Sequence, residues 1–169
     1  SSPAHLIILG ALDHAASLAS VGRFLGYRVT VCDARAMFAI AERFPDAHDV
    51  VVAWPHRFLA ATSIDSRTAI CVLTHDPKFD VPALEVALRS NAGYVGAMGS
   101  RRTCADRIER LREAGLTEDE LSRLVSPIGL DLGAVTPAET AVSIAAELIA
   151  MRRRGSGEPL RQTEGRIHR

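Results

Sequence analysis

Short apolar runs alternate along this chain with longer segments in which apolar residues recur every three or four positions. Five of the runs are strand-sized and lie at residues 6–9, 27–32, 49–53, 68–74 and 93–98. Strands that are apolar on both faces need cover on both sides, which a parallel sheet flanked by helices provides. The pattern therefore predicts an α/β domain built in three layers.

Helical periodicity occupies most of the intervening sequence, at residues 15–25, 38–43, 81–91 and 100–114, with shorter helices after Pro55 and from Thr117. The final helix has a clear start, because Thr136 is an N-cap candidate, Pro137 suits the first turn and Glu139 completes a capping box. Right-handed crossovers between parallel strands leave few topologies. We predict a Rossmann-like doubly wound parallel sheet with strand order 3-2-1-4-5 and a crevice outside the carboxyl ends of the first and fourth strands.

Composition argues against several classes of function. The chain has 169 residues, and its 20 basic and 20 acidic side chains cancel, so we expect neither a nucleic-acid partner nor a membrane partner. The apolar runs are far shorter than a bilayer span, which predicts a soluble cytoplasmic protein. We expect one domain over residues 1–154 and a flexible polar tail over residues 155–169, where the apolar pattern ends.

Polar residues and glycines follow the predicted strands, and the topology brings these loops to one edge of the sheet. They are Gly10, Asp13, Asp33, Arg35, His56, His75, Asp76, Gly99, Ser100, Arg101, Arg102, Gly129 and Asp131. In the last loop, Gly129 and Gly133 allow unusual backbone angles around the Asp131 carboxylate. This convergence identifies a place for a ligand and leaves the reaction open.

The first loop matches a dinucleotide-binding fingerprint only in part. The pattern G-x-G-x-x-G would align with Gly10, Leu12 and Ala15, so the second glycine is missing. Asp13 is placed to cap the first helix, where its carboxylate would compete with phosphate for the same N–H groups. We therefore expect Asp13 to be an ordinary N-cap.

Asp33 and Arg35 end the second predicted strand. Asp33 lies 23 residues after Gly10, near the distance at which an acidic residue holds a ribose hydroxyl. Arg35 has two interpretations, either contact with a phosphate or an ion pair with Asp33.

His75 and Asp76 belong to a polar loop that closes the fourth strand and also contains Lys78 and Asp80. A histidine beside carboxylates can move protons, so a functional and a structural role both stay open. No second histidine or cysteine stands at a recognisable ligand spacing, and we predict no metal site.

Gly99, Ser100, Arg101 and Arg102 follow the fifth strand and open a helix. A cap residue, free N–H groups and guanidinium groups in one loop predict an anion-binding site, with a plain cap beside solvated arginines as the alternative. Cys104 shares a helix face with apolar residues, so we expect a core thiol rather than a carrier of sulfur.

Three blocks of sequence together resemble the C-terminal Rossmann domain of the XdhC/CoxI family, accessory proteins that mature molybdenum hydroxylases such as xanthine dehydrogenase and carbon monoxide dehydrogenase. They are residues 29–35 with 43–45, residues 75–78 with Asp80, and residues 94–96 and 99–102 leading on to residues 127–147. The resemblance extends over nearly the whole chain to about Arg153.

This resemblance implies a protein that binds the molybdenum cofactor, as molybdopterin or its dinucleotide, and protects it while a cysteine desulfurase exchanges an oxo ligand for sulfur. Delivery to the apoenzyme of a molybdenum hydroxylase would follow, a carrier role more than that of a turnover enzyme. The implied contacts are Ser100 and Arg101 on phosphate, Asp33 on a sugar hydroxyl, and His75, Asp76 and Asp131 at the mouth near the pterin or its metal.

Two other classes of function remain. An NAD(P)-dependent oxidoreductase would use Asp33 for the ribose and His75 as proton donor, although the missing glycine disfavours it. A non-catalytic docking or dimerisation module would have a vestigial crevice. Family members commonly carry an additional N-terminal domain, so the sequence is a fragment, a single-domain relative or half of a split pair. The oligomeric state, including a homodimer, stays open.

Overall fold

Six parallel strands form the middle layer of the structure, a computed structural model that describes residues 2–169. In chain order they are β1 (His5–Leu9), β2 (Arg28–Asp33), β3 (Asp49–Val52), β4 (Thr68–Val72), β5 (Tyr94–Ala97) and β6 (Leu124–Val125). Their spatial order is β3-β2-β1-β4-β5-β6. The predicted Rossmann-like order is confirmed, and a sixth strand of 2 residues extends the sheet beyond β5.

The two outer layers are helical. The helices are α1 (Asp13–Phe24), α2 (Pro55–Ala60), α3 (Pro77–Leu88), α4 (Arg101–Glu113), α5 (Glu118–Leu121) and α6 (Pro137–Arg153). Side chains alternate along each strand, so Leu6 and Ile8 pack with α1 and α6, whereas Ile7 and Leu9 pack with α2, α3 and α4 on the other face. Both faces of the sheet are therefore covered, as the doubly apolar strands require.

Local capping agrees with the sequence at two helices and corrects it elsewhere. Complete capping boxes start α5 at Thr117 and α6 at Thr136. The helix predicted over residues 38–43 is instead a turn followed by a 3₁₀ helix, Ala41–Arg43. The Phe38 carbonyl accepts from Arg43 Nη1 at 2.6 Å and from the Ile40 N–H at 2.9 Å, which is a turn rather than a continuous helix.

All six strands end at the same edge of the sheet, from which α1, α3, α4 and α6 also begin. We call this rim the carboxyl edge; it is formed by the loops at residues 10–12, 33–40, 53–54, 73–76, 98–100 and 126–136 together with the first turn of each helix that follows them. Within residues 2–169, no helix is both long enough and apolar enough to cross a membrane.

Candidate functional site

Gly10 brings the loop after β1 against the loop after β4. Its φ is +115°, and a Cβ on this residue would lie 2.8 Å from Thr74 Cγ2 and 3.0 Å from the Thr74 backbone nitrogen. No other residue type fits that space without displacing the neighbouring backbone. The floor of the predicted crevice is therefore closely packed between β1 and β4.

Ala11, the next residue, is held from both sides. Its N–H donates to Asp33 Oδ2 at 2.8 Å, and its carbonyl accepts from Arg43 Nη1 at 3.0 Å. Asp33 ends β2, and Arg43 lies in the 3₁₀ helix that precedes β3. Two neighbouring segments thus fix the backbone of the β1–α1 loop.

The predicted N-cap at Asp13 is wrong, because the cap position belongs to Leu12. Leu12 is extended, with φ −106° and ψ −177°, and Asp13 is the first residue of α1. α1 therefore begins one residue earlier than a cap at Asp13 would place it. Since Leu12 offers no side-chain acceptor, the first N–H groups of α1 face the carboxyl edge without a side-chain cap.

Asp33 and Arg35 form a two-pronged ion pair. The Asp33 carboxylate is 2% exposed and accepts four hydrogen bonds, from the Ala11 and Arg35 backbone N–H groups and from Arg35 Nε and Nη2. Burial alone would raise the pKa of this carboxyl, but the hydrogen bonds from Arg35 and Ala11 outweigh it and hold the pKa below its usual value.

The expected contact between Asp33 and a sugar hydroxyl would have to displace one of these bonds. A carboxylate offers about four lone-pair sites, and protein groups occupy four. Of the two interpretations of Arg35, the structure shows the ion pair with Asp33. The Arg35 side chain remains 33% exposed, so its outer nitrogens can still meet a ligand.

Asp76 caps α3 rather than standing free in the crevice. Its side chain accepts the Lys78 N–H at 3.1 Å and lies 3.6 Å from Lys78 Nζ. This bond starts α3 at Pro77, four residues before the helix predicted from the sequence. His75 precedes the cap and is exposed.

Behind this loop, Asp80 and Arg107 form a buried ion pair at 3.0 Å. Thr74 donates its hydroxyl to Asp80, and Arg107 Nη2 also donates to the Met98 carbonyl at 3.2 Å. Burial raises the pKa of the Asp80 carboxyl, against the opposing bonds from Thr74 and Arg107. The pair therefore joins the loops that follow β4 and β5.

The loop before α4 contains the predicted anion site. Ser100 Oγ accepts the Thr103 N–H at 3.1 Å and caps the helix. The side chains of Arg101 and Arg102 are exposed and form no hydrogen bond with any other part of residues 2–169. The geometry is that of a capped helix with two solvated guanidinium groups beside it.

The loop around Gly129 packs along α6. The Gly129 N–H donates to Glu147 Oε1 at 3.0 Å, and the same oxygen accepts the Tyr94 hydroxyl at 2.8 Å. Gly129 has φ +103°, and a Cβ there would lie 2.6 Å from Ser143 Oγ. Asp131 follows in an exposed position.

Of the three residues that the resemblance assigns to one mouth, His75 and Asp76 lie in the loop after β4, and Asp131 lies in the loop before α6. His75 lines a cavity of about 120 Å³ with Thr103 and Arg110, on the face covered by α3 and α4. Asp131 belongs to the loop on α6, which covers the opposite face. Within residues 2–169, no three His, Cys, Asp or Glu side chains come together as a metal site.

Sequence reasoning missed Arg43, Trp54, Arg107 and Glu147. Arg107 stands in a helix rich in arginine, and nothing in the local pattern separates a buried guanidinium from its solvated neighbours. Glu147 lies in α6, and its contact to Tyr94 spans 53 residues, so no local pattern could reveal it. Trp54 is the one tryptophan of the chain and stands two residues after the end of β3; this position could have marked it as a candidate from the sequence.

Comparison with known proteins shows which proteins this chain resembles. The XdhC Rossmann domain model matches residues 6–148. A protein from Bacillus subtilis described as a probable xanthine dehydrogenase subunit is 32% identical over 149 residues, which cover 88% of this chain and 43% of the relative. The molybdenum cofactor insertion chaperone PaoD from Escherichia coli is 33% identical over 93 residues, covering 55% of this chain and 29% of the relative.

A solved structure has the same fold, and its sequence identity to this chain is close to that of the two relatives. It is a xanthine dehydrogenase from Bacillus halodurans, with a TM-score of 0.78 and 31% sequence identity over 94% of this chain and 46% of that chain. The chain thus spans less than half the length of these relatives. Because the family match extends from the first strand to the last helix, the chain belongs to the XdhC Rossmann domain family.

Proposed function

We propose that this domain serves the maturation of a molybdenum hydroxylase by holding the molybdenum cofactor, as molybdopterin or its dinucleotide, before transfer to the apoenzyme. The observation that carries the proposal is the 33% identity to the molybdenum cofactor insertion chaperone over 93 residues. The 32% identity to a probable xanthine dehydrogenase subunit supports the same class of client enzyme.

The carboxyl edge has the donors that a phosphate-bearing cofactor needs. The start of α1 offers N–H groups without a side-chain acceptor at Leu12, and a helix N-terminus favours an anion. Arg35, Lys78, Arg101 and Arg102 add positive side chains that follow three strands at the same rim. The residues present therefore fit an anionic ligand, and the chemistry that the cofactor supplies belongs to the client enzyme.

The cysteines of this domain take no part in the proposed sulfur exchange. Cys32 and Cys71 are 0% exposed and Cys104 is 5% exposed, so none presents a thiol to a partner. Burial raises the pKa of the Cys32 thiol to about 12, which removes the reactive thiolate. We assign the exchange to a separate protein, such as a cysteine desulfurase, while this domain binds and shields.

The test is to purify the chain from molybdate-fed cells, denature it, and assay the supernatant for molybdenum, pterin and nucleotide. Pterin with stoichiometric molybdenum supports the proposal. Arg101→Ala, at the carboxyl edge, is expected to lower the yield of bound cofactor, whereas Arg161→Ala, an exposed arginine beyond α6, leaves it unchanged. Release of NAD(P) or an empty protein would overturn the proposal for this chain and favour an oxidoreductase or a docking module.

A further inference from the structure

An aromatic and cationic cluster lies where β2 and β3 end. Asp33, the last residue of β2, is in register with Val52, the last residue of β3. Arg35 and Trp54 each stand two residues beyond that pair, and both contact the Phe79 ring. The Asp33–Ala53 backbone hydrogen bond, at 3.2 Å, continues the pairing up to this point.

Trp54 presents an open aromatic surface in this cluster. Its ring lies 5.0 Å from the Phe79 ring at 45° and 6.1 Å from the His56 ring at 64°. These two contacts hold the indole in place, yet 41% of the Trp54 residue is exposed. Burial of an indole or phenyl ring is usually favourable in free energy. An indole that is fixed in position but exposed to solvent is therefore suited to stack on a planar ligand.

Arg35 is held in the same cluster by two aromatic rings and by Asp33. Its guanidinium lies 4.7 Å from the Phe38 ring centroid and 5.4 Å from that of Phe79. Asp33 takes Nε and Nη2 and leaves Nη1 for another acceptor. Since the side chain needs no further ordering, it can meet a phosphate with little loss of entropy.

Lys78 supplies a second cation on the same ring. Its Nζ lies 5.1 Å from the Phe79 centroid and 3.6 Å from Asp76 Oδ2, and the side chain is 63% exposed. Phe79 thus contacts Trp54, Arg35 and Lys78 and joins one aromatic face to two positive charges. This combination matches a planar heteroaromatic ring that carries a phosphate.

We propose that Trp54 is the stacking platform for the planar heteroaromatic ring of a phosphate-bearing ligand, and that Arg35 and Lys78 receive its phosphate. The inference rests on the proposed function and names the residues that hold the ring. Two rings share this chemistry, the pterin of the cofactor and the base of its nucleotide form. A protein partner is less well matched, because carboxyl edges of α/β sheets are where small ligands bind.

The single tryptophan of the chain makes the test direct, because its emission reports on this position alone. The purified protein is titrated with pterin, CMP and GMP, and with ribose 5-phosphate as the ring-free control. Saturable quenching by a pterin or a nucleotide, with none by ribose 5-phosphate, is the expected result. Which ring quenches at the lower concentration identifies the source.

Single-residue variants then distinguish stacking on Trp54 from a general loss of ligand binding. Removing one stacked aromatic weakens binding by about 5- to 150-fold, so Trp54→Ala should lower affinity in equilibrium dialysis by this factor. Lys78→Ala should weaken the nucleotide and leave a phosphate-free pterin unaffected. Phe24→Ala is the matched control, because Phe24 is an aromatic side chain exposed to 88% at the far end of α1.

The failures of the two proposals are distinguishable. If Trp54→Ala binds the ring as tightly as the wild type, or retains the copurified cofactor in full, the stacking platform is wrong while the carrier function stands. If neither variant nor wild type contains cofactor and no ring quenches the emission, both proposals fail. Circular dichroism of each variant checks that the fold is kept.

Discussion

Arg107 Nη2 lies 3.0 Å from Asp80 Oδ2, and the two side chains are 4% and 3% exposed. The pair connects α4 to the first turn of α3 and, through Thr74 and the Met98 carbonyl, to the loops after β4 and β5. Two loops of the carboxyl edge are therefore held by one buried interaction.

Breaking this pair on one side should destabilise the fold strongly. Arg107→Met leaves a buried carboxylate without its cation, which costs about 3–5 kcal/mol. The double variant Asp80→Leu with Arg107→Met should lose less than the sum of the single variants, because neither charge is left alone. Chemical unfolding of the three variants measures this. Arg112→Met, which breaks an exposed pair with Glu118, is the control expected to show little change.

The close approach at Gly10 predicts that alanine substitutions at Gly10 and Gly26 lower the stability of the fold by different amounts. Gly10 and Gly26 both have positive φ, +115° and +89°, but only Gly10 has neighbours that a Cβ would meet. Both alanine variants carry a backbone penalty of about 1–2 kcal/mol. Gly10→Ala should cost about 1–3 kcal/mol more from overpacking against Thr74. Equal losses in thermal or chemical unfolding would contradict the close contact.

The Asp33–Arg35 pair predicts that the free energy of unfolding depends on pH in the acidic range. The pKa of Asp33 is lowered in the folded state, so its stabilisation is complete above its ordinary pKa of about 3.9 and is lost as the pH falls through the lower folded value. The difference in unfolding free energy between the wild type and Asp33→Asn should shrink as the pH drops below about 4. A difference that stays constant from pH 7 to pH 2 would refute this.

The buried cysteines predict slow thiol chemistry. In the native protein near pH 8, a thiol reagent such as DTNB should react only as the fold opens, and all three cysteines should react rapidly after denaturation. Burial raises the pKa of Cys71 as well as that of Cys32, so the effect does not depend on one residue. Reaction of any cysteine within seconds in the native state would contradict this and reopen a role in sulfur transfer.

Much of the architecture follows from local patterns. The doubly apolar segments and the helices between them predicted the sheet and its order 3-2-1-4-5 correctly. The capping boxes at Thr117 and Thr136 were also readable, because both partners lie within one turn. β6 was not predicted, because a strand of 2 residues shows no periodicity.

The location of the candidate site could be predicted from the sequence, but its side-chain contacts could not. The loops converge because parallel strands end on one side, so Gly10, Asp33 and Ser100 could be assigned to one rim. Whether Asp33 is free or engaged depends on Ala11 and Arg35 together, and the bond to Ala11 joins residues that are 22 positions apart. The same holds for Asp13, which is the first residue of α1 rather than its cap and follows a loop whose Ala11 carbonyl accepts from the distant Arg43.

The sequence by itself determined the order of elements, the parallel sheet and the edge at which the loops after the strands meet, because periodicity and capping act within a few residues. Only the tertiary structure decided which charges are buried and which rings stay open. Arg107 and Trp54 show why, since their environments come from segments distant along the chain that meet only when the sheet forms. Burial and desolvation are properties of that assembled packing, and no local pattern contains them.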